Sequence, residues 1–553
     1  MKNILFPVLV SITVSTAYGK DVPERFIPQV TNQQFRNEII SYIEQQVKNS
    51  SEIKKEYFGN LDERLNNAYQ ASDWTLNIAC YQKGEVVGQD AFNNKNLNLV
   101  LYNALKKMKL TVNSPENCQF QVDFAYYPDR HYRFISYDGQ GLELTGNRVA
   151  VRKLTTESIK KQIRDSIGYI FRVMNPETHG FYKFYDARQD KAETLLRTIY
   201  SASSLFTFIK TQAAFPDLEL RSTFKPIAQF ILSQQLLSGP NRGAFYYSYD
   251  PVKKKPQKKL VVGTASKTIF TLLLLNELYP DDPVYLTSAK LAGNWLLEQV
   301  HEDGRIVPVQ VYENGRWIKK EKQSLLYSGQ VLSALSRLYI VTKDQRYLDK
   351  AKVIANLFIN KINQHGPVLG DDYRPANSIS SSWVLMSLID IAKATPSTEY
   401  LQAIQQIAAA IRTHQLTNFN DIYYVGKFAD AMTTSGNGWL NEVFGEYYPF
   451  CMKMKLGSCE QYKETMILSS RWLMQNAYRK NNTYNIKNPE RSIGGFALNY
   501  HNHVVRTDAV CHGTNSLLYL LKITGNAPQV FIDIKEQPLF EILPMIRAGN
   551  KIV

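Results

Sequence analysis

The strongest constraint on this chain is a strict alternation of two kinds of helical segment between residues 157 and 524. Six segments have a single apolar stripe and a charged face, and six others are apolar nearly all round. A helix with one apolar stripe can face water, whereas a helix that is apolar on every side has to be enclosed by other elements. Six of each kind in alternation therefore predict an inner ring of helices wrapped by an outer ring.

The amphipathic segments begin at Glu157, Ser222, Val284, Tyr347, Tyr400 and Cys459. The apolar segments begin at Arg197, Thr264, Leu325, Ser380, Gly438 and Asp508. One pair follows the next at a spacing longer than a short solenoid repeat of about 34 residues, which favours a closed ring over an open array. We therefore predict a mainly α protein built on an (α/α)6 toroid.

The first 19 residues differ from the rest of the chain. Residues 1–19 combine Lys2, an apolar run, and the small residues Ala17 and Gly19, a pattern typical of a signal peptide. No later stretch reaches about 18 uninterrupted apolar residues, so we expect no stable membrane span. These features predict an exported protein, either periplasmic or secreted.

Residues 20–150 contain one helical stretch followed by alternating segments such as WTLNIACYQ and QFQVDFAYY, which predict a small α+β domain. The turn Gln82-Lys83-Gly84 gives this region a faint resemblance to the AMMECR1 domain family, from which no site residue follows. The toroid is expected to occupy residues 151–525 and to leave 526–553 as a C-terminal tail.

The chain has five cysteines and a formal net charge of +15. Export permits disulfides, and two pairings are open, Cys451 with Cys459 and Cys80 with Cys118, which would leave Cys511 free. The charge is compatible with nucleic acid, a membrane surface or an acidic polymer. Export argues against nucleic acid and leaves an anionic glycan, although loop lysines can also be plain solvated surface.

A turn rich in glycine or aromatic residues follows each amphipathic segment, and all six turns connect the same ends of the two rings. They should surround one mouth of the barrel, which is the expected binding face. Alignment of the apolar helices on their central Leu or Tyr places matched side chains towards the axis below this mouth. These side chains are Tyr200, Lys267, Gln330, Trp383, Glu442 and His512, with Arg197, Tyr327 and Trp439 one turn nearer the mouth.

Such a lining suits a sugar, because aromatic faces pack on its C–H surfaces while charged and amide groups bind its hydroxyls. The Gly-Phe turns, the segment YLDKAKVIANLFI, and GGF followed by VRTDAVCH resemble glycan-active (α/α)6-toroid families. These are the N-acylglucosamine 2-epimerase group and the C-terminal domain of D-glucuronyl C5-epimerases. The resemblance covers about residues 156–524 and implies an Arg-x-Asp ahead of a His, which Arg506, Asp508 and His512 match.

Glu442 and Asp508 are the carboxylates expected to take part in acid/base chemistry, in two-carboxylate hydrolysis or in proton abstraction and return by an epimerase. His512 is the third predicted catalytic residue, as a proton donor, and Arg506 or Arg197 would bind an anionic group such as a uronate. Structural alternatives stay open, since Asp508 could cap the last helix and His512 could be a buried histidine bonded to backbone.

The leading prediction is an exported glycan-modifying enzyme, epimerase-like or hydrolase-like, that acts on a carbohydrate and needs no cofactor and no metal. One alternative is a non-catalytic glycan-binding or scaffold protein. A second alternative is a zinc-dependent toroid like the lanthionine synthetase cyclases, because the string CHG at Cys511 and His512 resembles their zinc motif. Those proteins supply a further cysteine from an earlier loop, and the corresponding loop SGNGWLNE has none. The oligomeric state stays open.

Overall fold

A computed structural model describes the toroid region at residues 153–417, 425–479, 483, 486–499 and 502–533. In the N-terminal region it describes residues 74–83, 85–94, 102–103, 105–107, 112, 114, 119–126 and 141–143. The predicted signal peptide, the predicted helix at residues 34–48 and Cys118 lie outside these ranges. The chain divides into two compact units, and the larger one comprises Thr145–Lys535 with the short segment Tyr81–Val86.

The N-terminal strands form one four-stranded sheet in the order β2-β1-β3-β4. The strands are β1 (Trp74–Gln82), β2 (Glu85–Asn94), β3 (Gln119–Tyr126) and β4 (Gly141–Glu143). β1 and β3 coincide with the two alternating segments that the sequence marked as strands. Cys80 in β1 is buried and disulfide-bonded.

Twelve long helices, α1 to α12, follow one another in the described part of the larger unit. They are α1 (Thr156–Arg172), α2 (Thr198–Ala214), α3 (Arg221–Ser233), α4 (Val262–Leu278), α5 (Pro283–Leu297), α6 (Leu325–Thr342), α7 (Gln345–His365), α8 (Ser378–Ala394), α9 (Thr398–Thr413), α10 (Thr434–Met454), α11 (Glu460–Gln475) and α12 (Thr507–Thr524). The odd-numbered helices correspond to the amphipathic segments and the even-numbered helices to the apolar ones.

The even-numbered helices form a closed inner ring, because each packs on the next and α12 packs on α2. Each odd-numbered helix lies outside this ring against even-numbered helices, and α1 contacts α12. The burial pattern agrees, since Tyr200–Ile209 in α2 is buried at every position whereas α7 buries one stripe only. The predicted (α/α)6 toroid is confirmed.

Four glycines with positive φ connect neighbouring outer helices by direct backbone contact. A Cβ atom would lie 2.1 Å from Leu291 O if added to Gly243, 2.7 Å from Val353 O at Gly304, 1.9 Å from Leu468 O at Gly426 and 1.9 Å from Asp165 O at Gly494. Each glycine follows one outer helix and meets the backbone of the next one along the ring. Gly494 does so for α11 and α1, the pair at which the ring closes.

Short antiparallel sheets join the turns at the mouth. They contain β6 (Phe184–Asp186), β7 (Lys191–Ala192), β8 (Leu196–Arg197), β9 (Ser248–Asp250), β10 (Lys255–Pro256), β11 (Lys259–Val261), β12 (Val309–Glu313), β13 (Arg316–Lys320), β14 (Ala497–Asn499) and β15 (Asn502–Arg506). The sheet β14-β15-β6-β7 links the last turn of the chain to the first. Within the expected C-terminal tail, β16 (Val530–Asp533) pairs antiparallel with β5 (Lys153–Thr155), which leads into α1.

The structure pairs Cys451 with Cys459 across a Cα–Cα distance of 5.9 Å, which joins the end of α10 to the start of α11. This pairing is one of the two that the sequence left open. Cys511 is buried and free. None of the described helices combines the length and the apolar character that a membrane crossing needs.

We expect Gly494→Ala to lower the free energy of unfolding by about 3 kcal/mol, because its methyl group would collide with the backbone of α1 at a φ of 88°. Gly239 is the matched control, since its φ is 79° and no atom lies within 4 Å of its would-be Cβ. Gly239→Ala should cost only about 1 kcal/mol of backbone strain. Urea unfolding followed by circular dichroism measures both, and equal costs would contradict the closure contact.

Candidate functional site

The inner ring surrounds a cavity of about 700 Å³ that opens at the mouth. Its wall is formed largely by the first two turns of the even-numbered helices, so matched side chains from these helices meet at this cavity. Nine of the predicted site residues line it. They are Tyr200, Lys267, Tyr327, Gln330, Trp383, Trp439, Arg506, Asp508 and His512.

Arg197 was predicted to bind substrate, but it does not line this cavity. It is the last residue of β8, and its Nε donates to Glu193 Oε1 at 3.1 Å. The guanidinium also lies 5.1 Å from the ring centroid of Tyr247. Because Arg197 precedes the first turn of α2, its side chain pairs within its own turn instead of pointing to the axis.

Glu442 is 3% exposed and lies directly behind the cavity wall. Its Oε2 is 2.6 Å from His512 Nδ1, and its Oε1 accepts a hydrogen bond from Asn515 Nδ2 at 3.0 Å. Burial alone would raise the pKa of Glu442, but the neighbouring His512 holds it below the usual value. The carboxylate is therefore ionised and suited to accept a hydrogen bond from Nδ1–H, an arrangement that leaves Nε2 of His512 available to a ligand.

Asp508 is held by a two-point ion pair with Arg506. Arg506 Nε donates to Asp508 Oδ1 at 2.9 Å and Nη2 donates to Oδ2 at 2.6 Å. Ser435 donates to the same Oδ2 at 3.0 Å, and Arg506 also reaches the Tyr200 hydroxyl at 3.1 Å. Burial would raise the pKa of Asp508, but Arg506 keeps it below the usual value. Asp508 is not the helix cap that the sequence allowed, because Arg506 holds the N-cap position without a side-chain cap bond.

Two stacked indoles form one side of the wall. The rings of Trp383 and Trp439 are 3.6 Å apart between centroids at an interplanar angle of 15°, and Trp439 Nε1 donates to Ser382 Oγ at 2.9 Å. The ring centroids of His512 and Trp439 are 5.1 Å apart in an edge-to-face arrangement, with an interplanar angle of 64°. The imidazole therefore packs between the Trp439 indole and the Glu442 carboxylate.

Lys267 places an unpaired ammonium group at the floor of the cavity. The residue is 5% exposed, and its Nζ lies 5.2 Å from the ring centroid of Phe206, 5.5 Å from that of Phe270 and 5.9 Å from that of Trp439. Within the described ranges, no oxygen accepts a hydrogen bond from this Nζ. Burial lowers the pKa of Lys267, and the Glu442 carboxylate offsets only part of that effect.

Several lining residues were missed by the sequence analysis because they belong to the mouth turns instead of the inner helices. They include Lys183, Tyr247, Arg374, Asn377 and Asp430; Ser435 was missed as well, although it lies in the first turn of α10. Basic side chains outnumber acidic ones on the wall, since Lys183, Lys267, Arg374 and Arg506 face only Asp430 and Asp508. Asp430 is itself engaged by the backbone N–H of Ser378 at 2.6 Å. The cavity therefore carries a net positive charge.

The zinc alternative gains no support from the geometry. Burial raises the pKa of the Cys511 thiol to about 12, so it stays protonated, and its Sγ lies 3.7 Å from Ser204 Oγ. A zinc site needs thiolate or neutral imidazole ligands that converge on one point. In the part of the chain that the structure describes, no three His, Cys, Asp or Glu residues are grouped in this way.

No protein-family model and no curated protein matches the chain. It is similar in fold to an α-1,6-mannanase of Salegentibacter sp. in complex with α-1,6-mannotriose, at 11% identity and a TM-score of 0.49 over 66% of this chain and 99% of that chain. It is also similar to cellobiose 2-epimerase from Bacillus thermoamylovorans, at 13% identity and a TM-score of 0.49 over 66% of this chain and 99% of that chain. It is also similar to an unsaturated glucuronyl hydrolase specific for heparin, at 12% identity and a TM-score of 0.48 over 68% of this chain and 99% of that chain.

These solved structures are glycan-active (α/α)6 toroids, the class that the sequence resemblance indicated. The assignment of this chain to the toroid fold rests on its own closed ring of helices.

We expect Lys267→Met to raise the free energy of unfolding by about 1 to 3 kcal/mol, because it replaces an unpaired buried charge with an apolar side chain of similar length. Lys290→Met, on an exposed face of α5, is the control and should change it by less than about 0.5 kcal/mol. Thermal and urea unfolding measure the two.

The pH dependence gives a second check. The folded-state pKa of Lys267 lies below the ordinary 10.5, so the folded protein gives up this proton before the unfolded chain does. The advantage of Lys267→Met should therefore shrink as the pH rises from the lowered pKa towards 10.5. An advantage that is constant over this range would contradict a buried charged ammonium.

Proposed function

We propose that this protein is an exported carbohydrate epimerase that inverts the carbon beside the carboxylate of a uronate residue. The observation that carries the proposal is the 2.6 Å pair between Glu442 and His512 on the wall of a positively charged, aromatic cavity. Export rests on the signal-like pattern of residues 1–19.

His512 is the proposed base. With Nδ1 bonded to the Glu442 carboxylate, Nε2 carries the lone pair and can take the hydrogen from the sugar carbon next to the carboxylate. The electron pair of that C–H bond moves into the carboxyl group and forms an enediolate with a second negative charge. Glu442 stabilises the resulting imidazolium and is thus a positioning residue, since it contacts His512 and does not line the cavity.

Lys267 is the proposed partner of that developing charge. A cation that is held in place without a carboxylate partner stabilises an enediolate more than it stabilises the starting carboxylate. Lys183, Arg374 and the paired Arg506 add positive potential around the same cavity. These groups favour an anionic sugar over a neutral one.

Inversion requires a proton from the opposite face of the sugar, and Tyr327 is the proposed donor. In the ring order α2, α4, α6, α8, α10, α12, helix α6 stands opposite α12, so Tyr327 and His512 line the cavity from helices on opposite sides of the ring. Burial raises the pKa of Tyr327 to about 12, which keeps its hydroxyl protonated at neutral pH. Tyr327 gives its proton to the carbon, and water returns the proton from the imidazolium to the phenolate after release.

Hydrolysis by two carboxylates is less well supported. That reaction needs one carboxyl group with a raised pKa to protonate the leaving oxygen. Glu442 and Asp508 both have lowered pKa values, and the partners His512 and Arg506 hold them ionised. The contacts therefore favour proton transfer at carbon.

We expect Tyr327→Phe to separate proton removal from inversion. In deuterated water His512 would still remove and return hydrogen on its own face, so the starting uronate should gain deuterium while inversion falls roughly a hundredfold or more. His512→Gln should abolish exchange from that epimer. Nuclear magnetic resonance of a panel of polyuronates (polymannuronate, polygalacturonate and a glucuronate–N-acetylglucosamine polymer) measures both outcomes.

Glu442→Gln preserves volume but removes the charge that fixes the imidazole, so kcat should fall roughly a hundredfold with little change in KM. Lys393→Ala, near the opposite end of α8, is the control and should keep full activity.

New reducing ends without deuterium exchange would identify a hydrolase. Binding of a polyuronate with neither exchange nor cleavage would identify a non-catalytic glycan-binding protein.

A further inference from the structure

A second cavity, of about 640 Å³, lies beside the β12–β13 hairpin. We call it the hairpin groove and define it by Asn241, Gln299, Gln310, Tyr312, Trp317 and Lys319. None of these side chains belongs to the central cavity. All of them lie in segments at the mouth end of the outer helices α3 and α5.

The back of the hairpin groove is a row of buried amides. Asn241, Gln299 and Gln310 are 5%, 3% and 4% exposed. Gln310 Nε2 donates to Gln299 Oε1 at 2.8 Å, and Trp295 Nε1 donates to Asn241 Oδ1 at 3.0 Å. These bonds leave Gln310 Oε1 and Asn241 Nδ2 without a partner among the described residues. Neither atom is enclosed away from solvent, so both can bind a ligand in the groove, and an acceptor and a donor on one wall suit sugar hydroxyls.

One side of the groove is aromatic. Tyr312 and Trp317 are directly paired across the hairpin, and their ring centroids are 5.3 Å apart at an interplanar angle of 69°. Trp317 remains half-buried on this exposed hairpin. A partly exposed indole next to buried amides is a surface on which the C–H face of a sugar ring can pack.

The rim of the groove is basic. Arg316 and Lys319 line it and are exposed, and Lys258 Nζ lies 4.1 Å from the Tyr312 ring centroid. No carboxylate forms an ion pair with these three side chains within the described ranges. Glu298 is the acidic residue on the wall. The charge of the groove therefore complements an anionic sugar.

The hairpin groove and the central cavity border the same small sheet. Val261, the last residue of β11, lines the central cavity and pairs with Val309 of β12. The preceding residue, Leu260, pairs with Gln310 at the back of the groove. Adjacent strands lie about 4.8 Å apart, so the two sites are neighbours on one rigid element.

We propose that the hairpin groove is a second subsite for the same anionic polysaccharide, and that it binds sugar residues on one side of the residue held in the central cavity. The expected effect of the groove on turnover rests on the proposed uronate epimerase activity, whereas the binding of the polymer in the groove does not. It makes the protein selective for polymers over short oligosaccharides.

The test combines binding and kinetics on the full mature chain. Calorimetry with the His512→Gln variant measures binding of the three polyuronates without turnover. Two variants should each weaken polymer binding about tenfold: Trp317→Ala, and the double variant Arg316→Ala with Lys319→Ala. In the otherwise wild-type enzyme the same changes should raise KM for the polymer about tenfold and leave kcat, and KM for a trisaccharide, unchanged.

Lys290→Ala removes one positive charge from α5 away from the groove and is the control for net charge. Thermal unfolding and circular dichroism show whether each variant is folded. If the groove variants lose polymer binding while the wild-type protein turns over no polymer, the groove proposal is supported and the epimerase proposal fails. If turnover is normal and the variants change neither binding nor KM, the groove proposal fails. Equal affinity for a neutral glucan or for single-stranded DNA would also overturn it.

Discussion

The proposed chemistry depends on one backbone contact, where Gly438 of α10 faces Gly513 of α12. A Cβ atom on Gly438 would lie only 3.0 Å from the backbone nitrogen of Gly513. Helices approach this closely only where side chains are absent at the crossing. Because the approach occurs one turn from Glu442 and next to His512, it brings a buried carboxylate within hydrogen-bonding distance of an imidazole on another helix.

The toroid and most of the cavity wall could be predicted because both depend on helical periodicity. A helix that is apolar all round has to be enclosed, and matched positions in a closed ring have to face the same axis. Tyr200, Gln330 and His512 therefore reach one cavity although long stretches of sequence separate them. Arg197 fails the same argument, since it precedes the first turn of its helix, where helical geometry no longer sets the direction of the side chain.

The rest of the site could not be read from the sequence for two physical reasons. Lys183, Tyr247 and Arg374 belong to turns and short sheets, whose paths depend on pairing with distant strands. The ionisation of Glu442 depends on His512 from another helix, which residue spacing along the chain does not specify, whereas Arg506, the partner of Asp508, lies only two residues away in the Arg-x-Asp pattern. Burial alone would have made either carboxyl group a good acid, and only the location of His512 and Arg506 reverses that expectation.

The pairing of β16 with β5 has a consequence for how the ring is made. The strand that precedes the first helix of the toroid is completed by residues that follow the last one, and Gly494 contacts α1 across the same junction. Contacts between such distant parts of a chain form late, since the entropy of joining them is lost before the contacts can compensate. During synthesis one side of α1 stays uncovered until the end of the chain has been made. Chaperone dependence and sensitivity to truncation should therefore be greatest at the junction of α1 and β5 with Gly494 and β16.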